Sequence, residues 1–159
     1  VTKSEFFENI IPVRTDRNKV VRMQVPMKRL KELIVLEEGI QKLKTDMIYF
    51  DFDRSDIREE AAQELDKLVA VMKEYENMVI KIESHTDSRG AAVYNQYLSD
   101  KRAKSTRDYI ISKGISKDRI ESAMGYGEDR LINDCKDGVS CNRQDHERNR
   151  RSEFIIVKM

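Results

Sequence analysis

The 159-residue chain is 39% hydrophobic and 37% charged, with thirty Lys+Arg against twenty-nine Asp+Glu. Charges that nearly cancel exclude an affinity built on neutralising many nucleic-acid phosphates, which needs a strongly basic face. No apolar run approaches the roughly 18 residues of a membrane-spanning helix, so membrane attachment is expected only through parts of the protein outside this chain.

Length and periodic apolar clusters together suit one folded domain with an appendage. The chain opens at Val1 without a basic-then-apolar leader, which reads as a fragment or a processed chain. Residues 1–45 carry ten Lys/Arg and six Asp/Glu, a net of +4, and both prolines, Pro12 and Pro26. The remainder carries twenty against twenty-three, a net of −3. Val21, Met23 and Val25 alternate with polar neighbours as in a strand, whereas Leu30, Leu33, Ile34, Ile40 and Leu43 are loosely helical in spacing. The segment 1–45 is read as the tail of an upstream module plus a connector, and 46–159 as the main domain.

From residue 46 the periodicity sharpens. Met47–Phe52 is rich in aromatic and branched residues and reads as a strand. Ile57, Ala61, Leu65, Leu68, Met72 and Tyr75 step by three and four, an amphipathic helix with Ser55 or Asp56 as its cap. Met78, Ile80 and Ile82 alternate with Val79, Lys81 and Glu83 in a second strand with one buried face, and 91–113, apolar at Tyr94, Leu98, Ala103, Tyr109 and Ile110, follows as a helix stopped at Gly114. Ile120–Tyr126 is a short strand, and Glu153–Val157 a closing one. The order βαβα-β-β predicts an α/β (α+β) sandwich, a mixed sheet with helices mainly on one face.

Cys135 and Cys141 lie six apart in a polar loop with Gly138 available for a turn. Such spacing closes a small disulfide ring, worth roughly 2 kcal/mol in the chain-entropy picture, and implies an oxidising compartment. Zinc needs four ligands and only His146 is near, so no metal is expected there. Asp51, Asp53 and Asp56 imitate the start of a calcium loop. Position six is then Asp56 rather than Gly and position twelve Ala62 rather than Glu, which argues against it.

The densest polar cluster is Glu83-Ser-His-Thr-Asp-Ser-Arg-Gly90, where the second strand hands over to the second helix. Such loops lie at the carboxyl edge of a sheet, where α/β folds bind ligands. Asp87 can cap its own turn, or pair with a ligand ammonium. The planar fork of Arg102 matches a carboxylate. Together they suit a ligand carrying both groups, although on spacing alone an ordinary salt bridge or a solvated helix face is the favoured account. His85 beside Ser84 and Ser88 resembles a hydrolase site, but no third catalytic group or nucleophile elbow accompanies it, and His85 is read as pointing off the strand end.

The segments Ile82–Gly90, Tyr94–Ser99, Lys101–Ala103 and Asp108–Ile115 resemble the OmpA-like (OmpA/MotB C-terminal) peptidoglycan-binding domain. The resemblance extends to Ile48–Asp53, Gly125–Glu128 and Asn149–Glu153 and covers about 46–159 in order. It implies a non-catalytic, cofactor-free module that binds the diaminopimelate of the peptidoglycan stem peptide. The setting it implies is the periplasm of a Gram-negative-type bacterium, where the module anchors an outer-membrane protein to the cell wall. By the same resemblance Asp87 takes the ligand ammonium and Arg102 its carboxylate, while Asn95 bonds the ligand or holds the loop. Thr86 and Gly90 shape that loop, Phe52 and Asp53 line the pocket, and one of Arg150 and Arg151 supports the site. The cysteine-bearing stretch between Gly127 and Asn149 is variable ground in that family, and residues 1–45 lie outside the match. A protein–protein module of the envelope and, less favoured, a cell-wall hydrolase are the competing readings. Oligomeric state is not set by the sequence.

Overall fold

The computed structural model describes residues 6–14, 20–45, 48, 50–51 and 53–159. Phe6–Arg14 (β1) and Val20–Pro26 (β2) form an antiparallel two-stranded sheet, followed by a short helix, Met27–Glu32 (α1). The expected helical spacing from Leu30 to Leu43 ends there. Ile34–Glu37 (β3) and Ile40–Leu43 (β4) are strands joined by Glu38 and Gly39, whose φ values of 50° and 78° make the two-residue turn that suits a tight hairpin. A two-residue hairpin with left-handed central residues overrides the i, i+3 spacing of its apolar residues, which in four-residue strands is too short to specify a helix.

The main body contains helix Glu59–Glu74 (α2), strand Val79–Ser84 (β5), helix Ala92–Ser112 (α3), strand Ile120–Gly125 (β6), helix Arg143–Asn149 (α4) and strand Ser152–Lys158 (β7). The five-stranded sheet runs β3-β4-β7-β5-β6, with β5 and β6 parallel and the other pairs antiparallel. It is the expected α+β architecture with a mixed sheet. The strand expected at Met47–Phe52 is not formed at Ile48, Phe50 or Asp51, while Met47, Tyr49 and Phe52 lie outside the described residues. Ile48 and Phe50 are nevertheless buried in the core, so their apolar character serves packing rather than a ladder. Helix α2 begins at Glu59 after Arg58, with no side-chain cap, so neither Ser55 nor Asp56 has the expected role.

Period-two burial along β5 turns Ile80 and Ile82 inward and leaves Lys81 and Glu83 on the other face. Phe154 and Ile156 of β7 join them beneath Leu65, Leu68 and Met72 of α2 and Ile110 of α3. The buried face of α3 is different in kind, for Asn95, Ser99, Arg102 and Thr106 share it with Leu98, Ala103 and Ile110. Tyr94, an apolar position of the helix, is exposed. The helix lies so close to the end of β6 that a Cβ on Gly125 would stand 2.2 Å from the Asp100 amide nitrogen and from Ser99 Oγ. That contact is secured by bonds from Gly125 N to Asp100 Oδ1 (2.7 Å), Gly127 N to Ser99 Oγ (2.9 Å) and Gln96 Nε2 to Gly125 O (2.7 Å).

On the polar face, Glu83 pairs with Glu153 across β5–β7, and two like charges there need compensation. Arg130 binds Glu83 at 2.8 Å, and Lys42 and Arg151 reach Glu153 at 3.4 and 3.6 Å. His85 does not point off the strand as the sequence suggested. It is fully buried, stacked on Tyr126 at 5.8 Å, with Nε2 3.4 Å from Glu153 Oε2. His85, ahead of Arg151 and Lys42, draws the Glu153 carboxyl down to about 2 against the upward push of burial.

Two outcomes follow from this packing. Gly125→Ala should cost on the order of 1–3 kcal/mol, read as a lowered midpoint of thermal unfolding, because backbone atoms rather than a flexible side chain stand in the way of the new methyl. A depressed carboxyl stabilises above its unfolded value of 4.5 and loses that contribution as pH falls through about 2. Glu153→Gln should therefore lower stability at neutral pH by on the order of 1 kcal/mol after solvent screening, and flatten acid unfolding below pH 4.5, as followed by circular dichroism.

Candidate functional site

An open cleft of ≈ 420 Å³ lies where β5 hands over to α3. The loop after β5 is fastened to both neighbouring strands. His85 N donates to Arg151 O (2.8 Å), Thr86 N to Gly127 O (2.9 Å), and Tyr126 N to Ser84 O (2.9 Å). Asp87 turns back to accept from Arg89 N at 3.0 Å, the local turn-capping role read from sequence. Gly90 continues at φ 94°, a left-handed conformation that glycine adopts without strain. Asn95 Nδ2 on α3 holds the turn from inside, donating to Asp87 O (3.3 Å), Arg89 O (3.1 Å) and Glu128 Oε2 (2.6 Å).

The cysteine loop braces the opposite side. Cys135 and Cys141 are disulfide-bonded, as their spacing suggests, and Ser88 Oγ donates to Cys135 O. Asn149, at the end of α4, bridges Asn133 Oδ1 and Ile132 N, which ties this loop to the segment that delivers Arg150.

Charge is concentrated in the cleft. Asp87, only 4% exposed at its side chain, meets Arg150 Nη1 at 2.7 Å and Arg89 Nη2 at 2.9 Å, both at Oδ2. Burial alone would raise the Asp87 carboxyl, but the bonds from Arg89 and Arg150 outweigh it and hold it below its ordinary range. Arg102 is completely buried, its Nε bonded to Arg54 O (2.8 Å) and its Nη2 to Asp51 O (3.0 Å), with the guanidinium 4.9 Å from the Phe50 ring. Its Nη1 is buried without a partner among the described residues. Burial, assisted by repulsion from Arg150, lowers Arg102 to about 10, so it remains cationic at neutral pH. Thr86 Oγ1 and Arg150 Nε are further buried groups in the cleft without a partner among the described residues.

The expected site residues thus converge, with exceptions. Asp53, Thr86, Asp87, Gly90, Asn95, Arg102 and Arg150 line the cleft. Asp53 sits at its exposed rim at φ 59° and accepts from the Tyr94 hydroxyl. Of the two arginines before β7, Arg150 reaches the cleft, while Arg151 turns to Glu153 and Arg130 O. Phe52 lies outside the described residues. Arg89, Tyr94 and Leu98 line the cleft too, and sequence reasoning assigned them no part in it. The signal for Arg89 was its place two residues after Asp87. Tyr94 and Leu98 were read only as apolar helix positions.

Residues 49–145 match the OmpA family. The chain is 37% identical over 111 residues to the peptidoglycan-associated lipoprotein of Rhizobium meliloti, covering 70% of this chain and 60% of that protein. It thus spans about three fifths of the length of that relative. The crystal structure of the peptidoglycan-associated lipoprotein from Burkholderia pseudomallei superposes with a TM-score of 0.62 at 25% identity, over 71% of this chain and 90% of that one. A MotB-like protein from Desulfovibrio vulgaris shares the fold, with a TM-score of 0.63 at 22% identity over 77% and 76% of the two chains. With the family matched over more than half of its residues and its fold shared with these structures, the chain belongs to the OmpA family.

Proposed function

We propose that this chain binds peptidoglycan without catalysis, by capturing the zwitterionic end of stem-peptide diaminopimelate. The observation that carries this reading is a pairing of unlike groups in one open cleft. Asp87 is a buried carboxylate on a braced loop, and Arg102 is a buried guanidinium whose Nη1 has no protein partner. A buried cationic donor left unpartnered is costly unless a ligand completes it. A ligand bearing an ammonium and a carboxylate on one carbon brings a cation to Asp87 and the missing partner to Arg102 Nη1, and homology to peptidoglycan-associated lipoproteins supports the same ligand class.

In this reading Asp87 takes the ammonium, Arg102 Nη1 the carboxylate, and Thr86 Oγ1 a further hydrogen bond. Asn95 holds the loop, Gly90 lets the backbone approach the ligand, and Asp53, with Phe52, edges the pocket. Arg150, rather than Arg151, supports Asp87. The setting is the periplasm of a Gram-negative-type bacterium, where the domain anchors the outer-membrane protein it belongs to onto the cell wall. One weak site suffices because the wall repeats its ligand, and multivalency converts weak contacts into a firm hold. A hydrolase reading finds no support at His85, which is sealed beneath Tyr126.

Pull-down with purified cell-wall sacculi tests the reading. Asp87→Asn and Arg102→Lys should each reduce muropeptide affinity by roughly ten- to a hundredfold, the effect of removing one charge-assisted bond, with unchanged circular dichroism. Arg151→Lys should bind as the native chain does. Full binding by folded Asp87→Asn and Arg102→Lys proteins would overturn the site.

A further inference from the structure

Asp87 is already saturated. A carboxylate offers about four lone-pair positions, and here Oδ1 accepts from Arg89 N (3.0 Å) and Arg89 Nε (3.2 Å), while Oδ2 accepts from Arg89 Nη2 (2.9 Å) and Arg150 Nη1 (2.7 Å). An incoming ammonium finds no vacant position unless a donor withdraws. The three side-chain and backbone donors differ in how readily they can do so. The Arg150 side chain is 7% exposed and sealed into the loop, whereas the Arg89 side chain is 42% exposed at the mouth of the cleft. The Arg89 backbone amide belongs to the turn itself and does not depend on the side chain.

We infer that the Arg89 guanidinium is a built-in competitor for Asp87, occupying the ammonium position of the free site and withdrawing when ligand binds. The inference rests on the peptidoglycan reading and adds to it a residue that sets the affinity of the free site. A ligand that brings only an amine exchanges one cation for another at Asp87 and gains no contact. A ligand that also brings a carboxylate gains the Arg102 Nη1 bond, which no described residue supplies. Arg89 thus sets an affinity floor beneath which isolated amines, such as protein lysines or polyamines, do not hold. A forked guanidinium suits this role, since it fits the carboxylate through two parallel bonds and yet stands at the surface.

The competition acts on the free protein, so its removal must strengthen every ligand that uses Asp87 by the same factor. Titration of the full 159-residue chain with a diaminopimelate muropeptide and with its lysine counterpart provides the test. Arg89→Gln should tighten both by a common factor of roughly two to five, the range of a solvent-accessible ion pair. Arg89→Lys, which keeps the charge and loses the fork, should give a smaller gain. In the native chain the Arg89 Nε–H resonance should move on saturation while that of Arg150 stays. Weaker binding by Arg89→Gln would make Arg89 a ligand contact and overturn the proposal, as would affinities equal to the native chain. A gain in Arg89→Gln with none in Arg89→Lys would assign the effect to long-range charge and overturn it too. Failure of the native chain to bind either muropeptide would instead remove the peptidoglycan reading itself. Amide spectra matching the native chain establish that the turn is intact, as expected from its backbone bond.

Discussion

Taking opposite charges out of water at the end of a sheet is the constraint around which the molecule is organised. Asp87 and Arg150 meet at 2.7 Å with both side chains nearly inaccessible, and Arg102 is buried in the same cleft. Isolated, any of these charges would carry a desolvation penalty of several kcal/mol. The fold supplies the partners instead. Backbone carbonyls of Asp51 and Arg54 receive Arg102, the loop after β5 receives Arg150, and Asn95 ties that loop to α3. The bonds of Arg102 and Arg150 join segments 48 to 63 residues apart, so they form only where the tertiary fold brings those segments together.

The same requirement explains the polar stripe on α3. A helix facing a sheet ordinarily buries aliphatic residues, whereas this one buries Asn95, Ser99, Arg102 and Thr106 along one face. Small and hydrogen-bonding residues allow the close approach at Gly125, and that approach brings the N-terminal half of α3 alongside the loop carrying Asp87. Apolar packing is delegated to the far half of the helix, at Ala103 and Ile110, and to α2. The helix therefore works as an anchor at one end and as a wall of the cleft at the other.

The disulfide loop acts on the cleft through backbone rather than through chemistry of its own. Ser88 is bonded to the Cys135 carbonyl, and Asn133 and Asn149 connect the loop to the chain that leads into Arg150. Closing this small ring limits the conformations of a segment poor in apolar residues, which could not hold itself in place by burial. Two sides of the Asp87 turn are thereby fixed, α3 on one and the disulfide loop on the other. Only the outermost donor, Arg89, retains solvent on its side chain.

Local pattern made much of this legible. Steps of three and four from Ile57 to Tyr75, alternation through Ile80 and Ile82, and the Gly114 stop all act between near neighbours, and α2, β5 and α3 lie where they indicate. The Asp87 loop and Arg102 were legible through their family resemblance, and the cysteine pair through its spacing. What failed were features set by distant partners. The Ile34–Leu43 hairpin is stabilised by pairing with β7 more than a hundred residues away, and Ile48 and Phe50 pack into a core without joining a ladder. The choice of Arg150 over Arg151, the sealing of His85 under Tyr126 and the occupation of Asp87 by Arg89 were likewise invisible. Sequence by itself determined the two long helices, the chain order of the last three strands and the kinds of charged group available for a ligand, because periodicity and residue chemistry are local properties. Tertiary structure alone decided which charges face each other and which stay unpaired, because electrostatic pairing depends on distances that the folded chain first creates.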